Sequence, residues 1–565
     1  MGRRISAIAV TAMAAAASLA LVQPGSALAQ GPGQVTGLQA VQGEGFATLS
    51  WDPVEGATDY QIERTPVNAA DELTGSARIV GLWQPTRTVR PDAPTFADSG
   101  FVLGERFRWR VRARFDTTAQ AFSEPVFGTT VPQWGEGPGA SMRTQFEQTN
   151  GAQYTSDLNE YAYTAALDAA SDRVRVVEIG RTVQGRPINM MIFGHPEPLP
   201  SAARISATPT ALIQCHVHGN EPSMREACLI LARRLAFSDE PDVLASMAGR
   251  TILIVPTLNG DGRAADTRGN IHGQDLNRDH SLLREPETKA FAAMLRDYTP
   301  DVAVDGHNGD SEDLPVLGPR HLNVHEPVYA EIKNNLIESR IYGNAAAAGW
   351  WAGPYSNGGA SQETILRNTF GLKSILGILS ENRGAAGPTR PGATAAENEN
   401  RKSYGQLWLA RQLLDYHRES LPAIQRLIAD SIAFQRSNEG PVVFRGAYPW
   451  PPFPPLLSAP DVDAPTPELT LEDPPCGYFL TPQQFSGANP DGTVERRLRL
   501  HGIAVERAPG YVAGGNGYLV RLSQPLRGLI PPLLDGQAVE PMVAGTRLYE
   551  FQPSADGPVL CGRPA

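Results

Sequence analysis

The stretch His218-Gly219-Asn220-Glu221, directly after the apolar run 211–217, limits what this chain can fold into more than any other feature. A short, largely apolar run reads as a buried strand, so the tetrapeptide sits where a strand leaves a core. An imidazole and a carboxylate three residues apart on such a loop can reach one small dication together. Zinc takes nitrogen and oxygen ligands in a tetrahedron, and a catalytic zinc keeps three protein ligands and one open position. Two ligands from one segment call for a third from elsewhere, and the chain can be searched for it.

A length of 565 residues is too great for one core and predicts several domains. The formal charge of −11 and the lack of a basic tract exclude nucleic acid as a partner. Arg3 and Arg4, the apolar segment 5–22, the break at Pro24-Gly25 and the small residues of Ala27-Leu28-Ala29 read as a secretory signal peptide over residues 1–29. Cleavage after Ala29 implies a secreted or periplasmic location. The alternative is a membrane anchor, but no later apolar run is long enough to span a bilayer, so stable insertion is not expected after cleavage. Cys215 and Cys228 flank the metal motif and read as small apolar filler. Cys476 and Cys561 lie in the last segment, where an exported chain allows a disulfide.

Three regions follow the signal segment. Alternating apolar and polar residues at 47–51, 60–63 and 107–113, with Gly and Pro between them, predict a β-sandwich over 32–132. The runs Ala47-Thr48-Leu49-Ser50-Trp51-Asp52-Pro53 and Phe107-Arg108-Trp109-Arg110-Val111-Arg112-Ala113 resemble a fibronectin type III domain. Such modules serve as spacers or as contacts to an extracellular polymer or protein. Residues 140–430 alternate strand-like and helix-like segments. They predict an α/β domain with a mixed, mostly parallel sheet flanked by helices. Ser223 and Glu226 have capping-box spacing ahead of an apolar helix. A Pro-rich linker occupies 440–475, and 476–565 reads as a small β-rich domain with strands near 498–506 and 517–522.

The polar groups of the central region fall at predicted strand ends. His218 and Glu221 follow 211–217, the segment Asn259-Gly260-Asp261-Gly262 follows 251–255, Asp305-Gly306-His307 closes 302–304, and Glu381 follows 375–379. Functional groups of open α/β sheets gather outside the carboxyl ends of the strands. His307 is the third ligand on this reading, with Asp305 as its polar support. His216 competes with His218 but lacks the spacing to Glu221, and is assigned to the strand. Burial after an apolar strand would raise the pKa of Glu381 and suit it to act as a general base. Thr267-Arg268-Gly269-Asn270 and Gly273-Gln274-Asp275-Leu276-Asn277-Arg278 add cations and an amide suited to an anionic substrate group. Each residue alone has an ordinary structural reading, as a solvated loop charge or a satisfied core histidine.

Taken in order, these residues resemble the zinc carboxypeptidases of the carboxypeptidase A type over roughly 145–425. The run 179–188, Ile-Gly-Arg-Thr-Val-Gln-Gly-Arg-Pro-Ile, is similar to the stretch that precedes the metal motif in that family. The resemblance implies one Zn2+ per chain, held by His218, Glu221 and His307. It implies Arg268 (with Arg263 as a nearby rival) as the group that polarises the scissile carbonyl, and Glu381 as the base. It implies Asn277 and Arg278 as the grip on a terminal carboxylate, and Tyr355 as the mobile tyrosine that caps the product side. The substrate would be a peptide or protein with a free C-terminus. Two other readings stay open: an amidase or carboxypeptidase of cell-wall stem peptides, and a non-catalytic binding protein on the same scaffold.

Overall fold

The computed structural model describes residues 33–43, 45–85, 92–99, 104–129, 138–309, 313–354, 361–382, 393–448, 469–512, 515–554 and 557–560. The proposed signal segment, Tyr355, Cys561 and the proline-rich run from 449 to 468 lie outside them.

The N-terminal region is β-rich. Its strands are β1 (Gln39–Gly43), β2 (Phe46–Ser50), β3 (Asp59–Val67), β4 (Arg78–Trp83), β5 (Thr95–Ser99), β6 (Arg106–Phe115), β7 (Thr118–Ala119) and β8 (Val126–Thr129). One sheet runs β1-β2-β5 and the other β4-β3-β6-β7, with β8 also paired to β6. Every pairing is antiparallel. Strand β6 shows why: Phe107, Trp109, Val111 and Ala113 point into the shared core, while the arginines between them face out. Arg110, and Arg114 just past Ala113, meet Glu63 and Asp59 on β3, the opposite-charge pairing that favours adjacent strands.

The central region is built on β9 (Val174–Arg181), β10 (Pro187–Phe193), β11 (Thr210–Gln214), β12 (Thr251–Val255), β13 (Val302–Gly306), β14 (Leu314–Leu317), β15 (Ala352–Pro354) and β16 (Leu376–Ser380). They form one eight-stranded sheet in the order β15-β14-β16-β13-β11-β12-β10-β9. The middle strands β16, β13, β11 and β12 are parallel, and antiparallel pairs flank them. All four middle strands are buried along their length, as expected when both faces of a parallel sheet are covered. Ala211, Ile213, Val304 and Ile378 pack toward the helix Ser223–Phe237 on one face. Leu212, Leu253 and Ala303 pack toward the helix Pro286–Tyr298 on the other.

A 43-residue helix, Ala395–Ser437, follows β16. Thr394 caps it, and Glu397 returns a bond to the Thr394 N–H, a complete capping box. The C-terminal residues carry a four-stranded sheet and the helix Val494–His501. That helix occupies part of 498–506, where strand was expected. Its Thr493 N-cap and its four buried positions Val494, Arg497, Leu498 and His501 supply a helical stripe that the apolar residues alone do not reveal. Among the described residues no helix is long and apolar enough to cross a membrane.

Neither β-rich region stands apart from the centre. Phe46 and Ala97 from the N-terminal sheets belong to the same hydrophobic cluster as β11 and β13, and so do Leu529, Ile530, Leu533 and Leu534 from the far end. The Ala97 N–H donates to the Gly349 carbonyl at 2.8 Å, and the Thr48 hydroxyl to the Ala348 carbonyl at 2.8 Å. Gly45, at φ +69°, lies so close to Tyr404 that a Cβ would sit 2.3 Å from the ring. At the other end, His501 Nε2 lies 2.7 Å from the Ser281 carbonyl, and Lys373 Nζ donates to the His501 carbonyl at 2.8 Å. The N-terminal sheets are therefore packed against the centre rather than held away from it as a spacer.

Candidate metal centre and active site

Strands β11, β13 and β16 are neighbours, so the loops leaving their carboxyl ends meet. Strand β11 ends at Gln214, earlier than the apolar run suggests. His216 therefore lies beyond the strand, fully buried, and burial holds its imidazole well below the usual range. Gly219 is required where it stands: a Cβ there would lie 2.0 Å from the Gly262 carbonyl carbon, so only glycine lets the two loops touch. The helix carrying Glu226 begins at Ser223 with Pro222 before it, and the expected capping box is absent. Ser223 is buried and its hydroxyl meets Asn308 and Asn382, while the Glu226 carboxylate accepts from Thr155 N and Oγ1. Tertiary partners outcompete the local cap.

Cys215 and Cys228 form a disulfide that closes over His218 and Glu221. The filler reading of these cysteines is thus replaced. The sulfurs meet because the helix after the motif folds back over the end of the strand, a long-range fact that residue type does not encode. Cys476 is also disulfide-bonded.

Three donor atoms converge at the sheet edge. His218 Nδ1 and His307 Nδ1 each lie 3.0 Å from Glu221 Oε2 and 3.0 Å from each other. The far nitrogens are spoken for: His218 Nε2 is 2.9 Å from Asp275 Oδ1, and His307 Nε2 is 2.9 Å from Asp305 Oδ2. These carboxylates select the Nε2–H tautomer, so both Nδ1 lone pairs face a carboxylate oxygen with no proton between them. Three converging lone pairs fit a dication, and the nitrogen–oxygen donor set fits zinc. Without an ion, a proton takes its place. Burial pushes the Glu221 carboxyl up, but the imidazoles of His218 and His307 donating to it outweigh this and hold it well below the usual range. Burial would lower His307, and Asp305 outweighs it, leaving the imidazole raised, so a dication would have to displace that proton.

Asp275 carries a role that sequence reasoning did not assign. It caps the short helix Leu276–Arg278 through the Asn277 N–H at 2.9 Å, and the same oxygen receives His218. The available signal was its place in the Asp275-Leu276-Asn277-Arg278 run. Changing Asp275 to Asn is expected to weaken metal binding by about 10- to 100-fold, the usual range for a residue that orients a ligand. Competition with a chelator would measure it, and an unchanged affinity would refute the role.

The other candidate residues surround the triad. Arg268 Nη1 donates to Glu221 Oε1 at 2.9 Å and Nε to Asp275 Oδ2 at 3.1 Å, with about half the side chain exposed (48%). Arg263 turns away, with Nη1 4.0 Å from Asp266. Asn277 is buried; its Oδ1 accepts the Leu366 N–H at 2.8 Å, and its Nδ2 lies 2.9 Å from His307 Nε2. Arg278 donates to the Asn277 carbonyl and is half-buried. Glu381 is 6% exposed, and its Oε2 has no hydrogen-bond partner among the described residues. Burial pushes this carboxyl up to about 7, against the pull of His307.

Residues 160–312 match the family model described as zinc carboxypeptidase. A carboxypeptidase named SOL1 from Arabidopsis thaliana is 33% identical over 176 residues, which are 29% of this chain and 34% of that protein. Carboxypeptidase D from Anas platyrhynchos is 27% identical over 316 residues, 48% of this chain and 21% of that protein. A solved metallo-carboxypeptidase from Burkholderia cenocepacia aligns at 23% identity and a TM-score of 0.38 over 46% of this chain and 70% of that one. The chain spans about a third or less of the length of these curated relatives. Residues 160–312 of this chain are thus similar to zinc carboxypeptidases, and parts of the chain are similar to curated carboxypeptidases.

Proposed function

We propose that this chain is an exported zinc metallocarboxypeptidase that removes the last residue of peptides or proteins with a free C-terminus. The convergence of His218, Glu221 and His307 on one point, with the buried carboxylate of Glu381 beside it, carries the reading. The signal-like segment 1–29 and the Cys215–Cys228 disulfide support export, because disulfides persist in oxidising compartments.

Zinc, when bound, supplies Lewis acidity toward the carbonyl and acidifies a water. The chain's own residues do the rest. Glu381 Oε2, buried and without a partner among the described residues, would serve as the proton acceptor beside the metal and would hand the proton to the departing amine nitrogen. Arg268, exposed on its outer side, swings toward the carbonyl oxygen and stabilises charge as it develops there. Arg278, with Asn277 beside it, holds the substrate's terminal carboxylate, since a planar guanidinium matches a carboxylate with two parallel bonds. The resemblance gives Tyr355, outside the described residues, the part of capping the bound end. Holding the carboxylate selects the bond to be cut.

The test combines metal analysis with mass-spectrometric trimming of a peptide library. About one zinc per chain and loss of single C-terminal residues are expected. C-terminal amidation should abolish cleavage, and equal cleavage of amidated peptides would remove the role given to Arg278.

A further inference from the structure

The long helix touches both sides of the centre through residues to which no role has been given. Gln406 is fully buried in the sheet-facing side of that helix. Its Oε1 accepts the Ser380 hydroxyl at 2.6 Å, and its Nε2 donates to the His307 carbonyl at 3.1 Å. Ser380 immediately precedes Glu381, and its carbonyl accepts the His307 N–H at 2.8 Å. One amide side chain therefore bridges the loop that carries a candidate ligand and the loop that carries the candidate base. One turn earlier, the Lys402 carbonyl accepts from Asn382 Nδ2, on the other side of Glu381.

The start of this helix is gripped from the N-terminal sheets. Arg64, on β3, is buried and paired with both Asp98 and Glu397, and Arg78 on β4 also meets Glu397. Arg401 donates to the Ala97 carbonyl of β5 and binds Asp313, with Nε 2.6 Å from Oδ1. A buried ion pair is weak evidence for stability, and its best-attested use is fixing register. Here the element whose register is fixed is the helix that presents Gln406.

We propose that Gln406 is a positioning residue that ties His307 to Glu381, and that the N-terminal sheets hold the helix that presents it. This rests on reading His307 as a ligand and Glu381 as the base. Its two hydrogen bonds reinforce the backbone bond from His307 to Ser380, the last residue of β16 and the neighbour of Glu381. Neither bond reaches Arg278, the residue proposed to hold the substrate carboxylate, although Asn277 Nδ2 lies 2.9 Å from His307 Nε2.

The experiment uses the full chain. Gln406→Met keeps the length of the side chain and removes both bonds. Zinc affinity is read by competition with a chelator, and kcat and KM are read separately across pH. The expected result is a zinc affinity about tenfold lower, within the range for groups that orient ligands. In addition, kcat should fall at least about tenfold with KM within about twofold, and the acid limb of kcat should move. Glu397→Gln should shift zinc affinity and kcat in the same direction by less. The double variant should lose less than the product of the two effects, because both act through one helix. If Gln406→Met does not fold, Gln406→Glu takes its place: it keeps the acceptor for Ser380 and loses the donor to His307, so zinc affinity should fall. Folded variants with zinc affinity and kcat within about twofold of the parent would overturn the proposal. A parent chain that binds zinc yet trims no peptide would instead overturn the proposed function, while the zinc comparison would still decide the case of Gln406.

Discussion

Replacing Glu381 by Gln is expected to lower kcat by about 10³-fold while leaving bound zinc in place. The amide keeps the shape of the side chain and removes its basicity, and a positioned base is worth roughly 10²–10⁴-fold. The surroundings hold the group tightly: a Cβ at Gly309 would sit 2.6 Å from Glu381 Oε2. The same carboxylate sets the acid limb. Its pKa in the metal-free fold is raised from 4.5 to about 7 by burial, so activity should fall as pH drops and the carboxylate takes up a proton. A cation bound nearby lowers that value, which places the limb at or below about 7. The sign for stability is opposite. A carboxyl raised on folding contributes stability that is fully present below about 4.5 and lost as pH rises through about 7. The metal-free Glu381→Gln variant should lack this loss. Near-normal turnover in the same variant, with zinc retained, would refute the base.

Replacing His307 by Ala should abolish stoichiometric zinc. Structural zinc sites with four protein ligands bind with about 10–16 kcal/mol, so one ligand is worth on the order of 3 kcal/mol, or roughly 10²-fold in affinity. The change should also destabilise the fold, because Asp305 is fully buried and loses its main partner. An unpaired buried charge costs about 3–5 kcal/mol. Chelation of the parent chain separates the two effects, since it removes the ion and leaves the Asp305–His307 bond. Metal analysis after dialysis, set beside thermal melts of the chelated parent and the variant, measures both. Full zinc retention by the variant would remove His307 from the ligand set.

Much of the site was legible because its residues follow apolar strands. His218, Glu221, Asp305, His307 and Glu381 all lie at or just past the ends of β11, β13 and β16, and those strands are legible from the apolar stretches 211–213, 302–304 and 375–379. What was illegible depends on distance through space. Asp275 looked like one charge among several until its loop was placed beside His218. Ser223 and Glu226 had the spacing of a cap, but the amides of Asn308 and the buried Asn382, and Thr155, claimed them. The Cys215–Cys228 pairing depends on the turn between strand and helix, not on either residue's neighbours. Likewise, the alternation in β6 revealed a half-buried strand, whereas nothing in the N-terminal sequence announced that Arg64 would reach across to Glu397.

The hydrophobic cluster running from Phe46 through β11 and β13 to Leu534 has a calorimetric consequence. Chains made of separable modules melt in steps, each with its own enthalpy. The first sheets keep a core of their own but lend Phe46 and Ala97 to this cluster, so their melting would expose apolar surface on the centre. Scanning calorimetry should therefore show a single endotherm for the intact protein, with van't Hoff and calorimetric enthalpies in agreement. A separate early transition assignable to residues 33–129 would mean that the N-terminal sheets melt on their own.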